Sequence, residues 1–187
     1  VVNLMTDEMV EIFSPILNAL SVIALRSGTL LATAGSTVEV PNFQHLLKCG
    51  ESLSNVQLFP IHFLTPTTFK QDKRYVIVPQ ESLILQSLIS RWNVSFPEAA
   101  MDDEDAFQAL LRSIHIVDYN LHTTRYPMKQ VRLPAFQGRV SIETRLPAPM
   151  MALWTTLYSF APYAGIGVKT TLGMGGVSMM KASNLPV

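Results

Sequence analysis

Apolar residues along this chain switch between helical and strand spacing, and each change of period marks an element. After Thr6-Asp-Glu, a helix start, Met9, Ile12, Phe13, Ile16 and Leu17 recur at helical spacing, with Pro15 as a break or kink. Val1–Leu4 ahead of it reads as a short apolar strand. Leu20–Leu25 and Leu30–Val40 read as strands around a Ser27-Gly28 turn, and Phe43–Cys49 as a short helix. Residues 1–50 thus resemble the second half of a small α+β domain whose opening strand and helix would precede Val1.

Residues 51–187 spell a complete β-α-β-β-α-β unit, the ferredoxin-like order. Val56–Thr65 is the first strand. Ser82–Trp92 and Asp103–Ser113 supply helices around an acidic loop at Pro97, with Asp102 as an N-cap. In Ile114–Thr124, Val117, Tyr119 and Leu121 alternate with Asp118, Asn120 and His122, the period of a half-buried strand. Arg139–Arg145 repeats that pattern, with Val140, Ile142 and Thr144 on one face. Met150, Leu153, Trp154, Leu157 and Phe160 form a helical stripe ending at Pro162, and Val177–Met180 closes the unit. The expected class is α+β, with tandem ferredoxin-like (RRM-like) domains of which the first is incomplete.

Composition narrows the function. Hydrophobic residues make up 48% of the 187 positions and charged residues 15%, against a usual figure of about 25%, so the chain is globular. Formal net charge is zero, but its distribution is uneven. Between Arg112 and Arg145, six basic residues face only Asp118 and Glu143, a net charge of +4 on a plausible phosphate-binding segment. Glu98–Asp105 holds five acids and no base, which suits a capping loop better than an ion site. Cys49 is the only cysteine, which excludes an internal disulfide and the usual zinc sites and fits a reducing cytoplasm. No metal, cofactor or membrane span is expected, and no Gly-x-Ser-x-Gly elbow occurs.

The densest chemical signal is Gly165-Ile-Gly-Val-Lys-Thr-Thr-Leu-Gly-Met-Gly175 within residues 165–176. Its spacing fits neither a P-loop nor a dinucleotide fingerprint, and it runs from helix to strand. Backbone N–H groups in such a loop, beside Lys169, Thr170 and Thr171, suit a phosphate backbone. The pattern Gly-h-Gly-x5-Gly-h-Gly, with h apolar, resembles the C-terminal glycine-rich loop of the CRISPR repeat-processing endoribonucleases of the RAMP superfamily. Ile61-His-Phe-Leu-Thr-Pro-Thr-Thr-Phe69 is similar to that family's strand ending in Thr/Ser-Pro-Thr-x-Phe, and Phe136-Gln-Gly-Arg-Val to its Phe-x-Gly-x-Val segment. All three fall in the family's order.

The resemblance implies binding of CRISPR repeat RNA and cleavage of precursor CRISPR RNA within repeats. In the family a 2′-hydroxyl attacks the adjacent phosphate without metal, leaving a 2′,3′-cyclic phosphate and a 5′-hydroxyl. It further implies RNA contacts from the basic hairpin, at Arg125, Lys129, Arg132 and Arg139. In the loop it implies contacts at Gly165, Gly167, Lys169, Thr170, Thr171, Gly173 and Gly175. The family's catalytic histidine usually lies in an early N-terminal segment that would precede Val1, so no catalyst is assigned. His45 reads as a surface residue, His62 as a hydrogen-bonded strand residue, and His115 and His122 lie on the strand before the hairpin, with His122 on its polar side. Met174, Met179 and Met180 read as core filling, and Tyr158 and Tyr163 as packing residues. Expected partners are repeat RNA, mature CRISPR RNA and other CRISPR effector-complex subunits, with a homodimer also open. A non-catalytic RNA-binding subunit, and an unrelated ferredoxin-like ligand-binding or regulatory domain, are the competing readings.

Overall fold

The computed structural model describes residues 4, 7–25, 28–31, 42–128 and 131–179. Its backbone contacts divide the chain into two compact units, Val1–Pro41 and Asn42–Val187. In the first unit, helix α1 (Asp7–Asn18, with Pro15 inside it) precedes an antiparallel pair, β1 (Val22–Leu25) and β2 (Gly28–Leu31). Of the expected strands, Val1–Leu4 lies outside the described residues except for Leu4, which is in no regular element. Leu30–Val40 is described only at Leu30 and Leu31. The apolar stripe of α1 is largely exposed, at Val10, Ile12, Phe13 and Ile16.

The second unit starts nine residues before the expected boundary, because helix α2 (Phe43–Glu51) packs against α5 (Ala148–Ala164). Gly50 permits this: a Cβ there would sit 2.9 Å from the backbone nitrogen of Thr156. Asn42 caps α2 by accepting a hydrogen bond from the His45 amide.

Four antiparallel strands form the sheet: β3 (Leu58–Thr67), β6 (Ile114–Met128), β7 (Val131–Thr144) and β8 (Val177–Met179), in the order β6-β7-β3-β8. Helix α3 (Glu81–Ser95) follows β3 and α5 follows β7, which completes the expected β-α-β-β-α-β unit. Helix α4 (Glu104–Ser113) is an extra element, and its cap is Asp103 rather than Asp102, through the Ala106 amide. Asp102 instead accepts from Asn93. A small hairpin, β4 (Phe69–Gln71) and β5 (Arg74–Val76), had no counterpart in the sequence reading. Asp72 and Lys73 make its turn at positive φ (48° and 65°) where glycine is usual, which is why the hairpin signal was absent.

The core is aromatic. Phe59, Ile61 and Phe63 of β3 point at α5, where Trp154 and Tyr158 meet Phe59 edge-on at 5.7 and 5.0 Å. Trp92 of α3 packs on Phe160 and Phe96. Two strand readings are corrected. Val117 and Tyr119 are exposed rather than half-buried, because β6 is the sheet's edge and a register shift at Val117 breaks its alternation. Ser141, expected on a polar face, is buried, because β7 lies between β6 and β3.

Candidate nucleic-acid interface

The three segments singled out in the sequence are one assembly. The glycine loop folds over the end of β3. Gly175 donates to the Pro66 carbonyl, Gly176 to the Thr65 hydroxyl, and Val168 to the Thr68 carbonyl, at 2.8–3.1 Å. Phe136 from the third segment meets Phe63 edge-on at 4.9 Å and stacks on Phe69 at 6.1 Å. Two glycines are required by close approach. A Cβ on Gly175 would lie 2.1 Å from the Ile166 carbonyl oxygen, and one on Gly167 would lie 2.6 Å from that of Thr68, both with the backbone at positive φ.

This changes what the loop offers to solvent. Gly165, Gly167 and Gly175 are buried, and their amides are spent on Ala161, Ser87 and Pro66. The exposed part is the arch at Lys169, Thr171, Leu172 and Gly173, with Thr170 half-buried within it. Among the described residues, the amides of Lys169, Thr170 and Thr171 have no partner. Lys169 holds φ 60°, a left-handed conformation that disfavours a side chain by about 1–2 kcal/mol, so a cation is kept where glycine would be easier.

Helix α3 supports the loop from beneath. Ser87 Oγ accepts from the Gly167 amide at 2.8 Å, and the Arg91 guanidinium donates to the Gly167 carbonyl. Burial pulls Arg91 below its ordinary value, and its Nε has no partner among the described residues. Glu81, at the other end of α3, accepts from the Ile116 amide of β6 at 2.8 Å. The sequence reading missed Ser87 and Arg91. The available signal was that Arg91 is the single basic residue of that helix.

Beside the loop, the β6–β7 hairpin has two unlike faces. Register pairs Arg125 with Pro134 and Arg132 with Pro127, which puts both arginines on one face. Tyr126 pairs with Leu133 and Met128 with Val131, on the other face. That second face meets the loop: Met174 is buried against Leu133 and Ala135, with Tyr126 and Met128 packed around them. The Tyr126 hydroxyl donates to the Leu172 carbonyl. Arg125 and Arg132 are exposed; Lys129 lies outside the described residues. Arg139 is farther down β7, half-buried between Asn120 and His62, with its Nε unpartnered among the described residues.

The histidines stay apart from this surface. His45, His115 and His122 are exposed, and His62 is half-buried without the expected hydrogen bond among the described residues. Tyr158 is a packing residue with one added bond, its hydroxyl donating to the Pro60 carbonyl at 2.7 Å; burial raises its pKa well above the ordinary value. Cys49 is exposed. The described residues contain no cluster of three or more potential metal ligands and no helix long and apolar enough to cross a membrane.

Comparison with known proteins covers the stretch that holds these segments. The family model for CRISPR-associated endoribonuclease Cas6 matches residues 61–177. The Cas6 of Streptococcus thermophilus is 30% identical over 179 residues, covering 96% of this chain and 74% of the relative. Cas6 from Mycobacterium tuberculosis is 28% identical over 123 residues, covering 64% of this chain and 38% of the relative. Among solved structures, a Cas6 product complex superposes with a TM-score of 0.78 at 23% identity, covering 95% of this chain and 75% of the other. Thermus thermophilus Cas6 superposes at 0.70 with 24% identity, covering 93% and 71%.

Proposed function

The chain belongs to the Cas6 family of CRISPR-associated endoribonucleases, and from that premise we propose that it binds CRISPR repeat RNA and takes part in cleaving precursor CRISPR RNA at each repeat. The observation that carries the reading is the joining of two phosphate-facing elements. Met174 and the Tyr126–Leu172 bond lock the hairpin to the glycine loop, so that Arg125, Arg132 and the Lys169–Thr171 arch keep a fixed spacing. A paired RNA stem is recognised chiefly through phosphates and shape, which a rigid set of cations and free amides can follow. Of the loop positions, Lys169, Thr170, Thr171 and Gly173 make the contacts; Gly165, Gly167 and Gly175 shape the loop from within.

Cleavage proceeds by attack of a ribose 2′-hydroxyl on the neighbouring phosphate, giving 2′,3′-cyclic phosphate and 5′-hydroxyl ends, with no metal required. Protons would pass through groups titrating near neutral pH, as histidine does. None of the four histidines lines the loop–hairpin cleft, and this favours a second reading in which these residues bind repeat RNA without cutting it.

One experiment separates these readings. Labelled repeat RNA from the source genome is incubated with the chain in EDTA and run on native and denaturing gels. A shifted band with cyclic-phosphate product supports the enzyme; a shifted band with intact RNA supports the binding subunit. Affinity no greater than that of an arbitrary neutral protein overturns both. Replacing Arg125 and Arg132 together by alanine should lower the slope of log Kd against log salt by about 1–2, roughly one for each phosphate no longer neutralised.

A further inference from the structure

Between the inner face of the β6–β7 hairpin, the β4–β5 hairpin and the glycine arch lies a cleft of about 720 Å³. Its walls are Tyr75 on one side and Tyr126, Met128 and Leu133 on another, with Leu172 and Lys169 closing it. We propose that this cleft holds one unpaired nucleobase of the bound RNA, stacked against Tyr75 and Tyr126, with its phosphate on Lys169. The inference rests on the RNA-binding reading and adds a subsite to it.

Three observations select this occupant. The volume is that of a small-molecule pocket, and the lining is aromatic and aliphatic, the surface on which single-stranded bases stack. The rim is cationic on both sides. Lys169 stands on the loop, and on the β4–β5 hairpin the register pairs Lys70 with Tyr75 on the same face, next to the turn residue Lys73. An apolar slot within a positive rim matches a base joined to phosphates and disfavours a cationic partner. Finally, the register puts Arg125 and Arg132 on the opposite face of the hairpin from Tyr126 and Leu133. A stem held on the arginine face has its bases buried in pairs, so only a nucleotide beyond the last pair can present a ring to the cleft. The hairpin then stands at the boundary between paired and unpaired RNA.

Tyr75 is the residue to test, because it is 38% exposed and belongs to no core cluster. Repeat RNAs carrying a single abasic ribose at each unpaired position in turn are titrated against wild-type chain, Tyr75→Ala and Tyr75→Phe. Tyr75→Ala should bind intact RNA about tenfold more weakly, the loss of one base–aromatic stack, with its melting temperature and salt slope unchanged. Tyr75→Phe should bind like wild type. One abasic position should weaken wild type about tenfold and add nothing to Tyr75→Ala. If repeat RNA binds but every abasic site costs both proteins equally, the subsite is overturned while RNA binding stands. If no repeat RNA binds, both fall.

Discussion

The glycine loop has two halves that do opposite things. Its rim, at Gly165–Val168 and Met174–Gly176, is mostly buried, and its amides bond to α5, α3, the end of β3, Thr68 and, at Ile166, the loop's own Gly175 carbonyl. Its arch, Lys169–Gly173, is mostly exposed and leaves three successive amides without partners among the described residues. At Gly173 an added Cβ would meet nothing within 4 Å, whereas at Gly175 it would meet a carbonyl oxygen at 2.1 Å. A glycine motif can therefore accompany a binding site mainly because it lets the backbone close on itself. The atoms left to touch a ligand are those between the glycines.

Substitution series should reproduce that difference. Gly175→Ala is expected to cost about 3 kcal/mol or more in urea unfolding, since a backbone clash and positive φ combine. Gly167→Ala should cost about 2–3 kcal/mol, and the clash with Thr68 would shift the end of β3. Gly173→Ala should cost only about 1 kcal/mol, from φ alone. Equal losses at Gly173 and Gly175 would erase the distinction between arch and rim. The smallest effect has the most diagnostic sign: Lys169→Gly should stabilise the fold by up to about 1 kcal/mol while weakening RNA binding. A variant that is both less stable and fully able to bind would show that the strained lysine serves packing instead.

A control far from the loop is provided by Tyr158. Its hydroxyl is raised by burial, so the folded state holds a proton that the unfolded chain releases above about pH 10. Its stabilising contribution is fully present below that pH and is lost as pH rises further. Tyr158→Phe should cost about 1 kcal/mol at neutral pH, flatten the alkaline decline seen in urea unfolding at pH 8 and above 10, and leave RNA binding untouched.

Much of this was legible in the chain. The C-terminal β-α-β-β-α-β order followed from the switch between period 2 and period 3.6, since Ile61, Val140 and Leu157 repeat at the spacing their elements require. The three motif segments were also visible, but not their union, because Thr65, Phe136 and Gly175 are brought together only by sheet pairing and loop closure. Tertiary position overrode pattern where Tyr119 fell on an exposed edge strand and Ser141 on an interior one. The part played by Ser87 and Arg91 was hidden for another reason: each is one of several polar residues on α3, and only the approach of Gly167 gives it a partner.

Helix α3 is fastened at its start, through Glu81, to the root of the hairpin strand and farther along, through Ser87 and Arg91, to the loop. In mechanical terms it is a crossbar under two levers. A force that lifts the hairpin is passed along a stiff rod to the loop's anchor, so the two would move together.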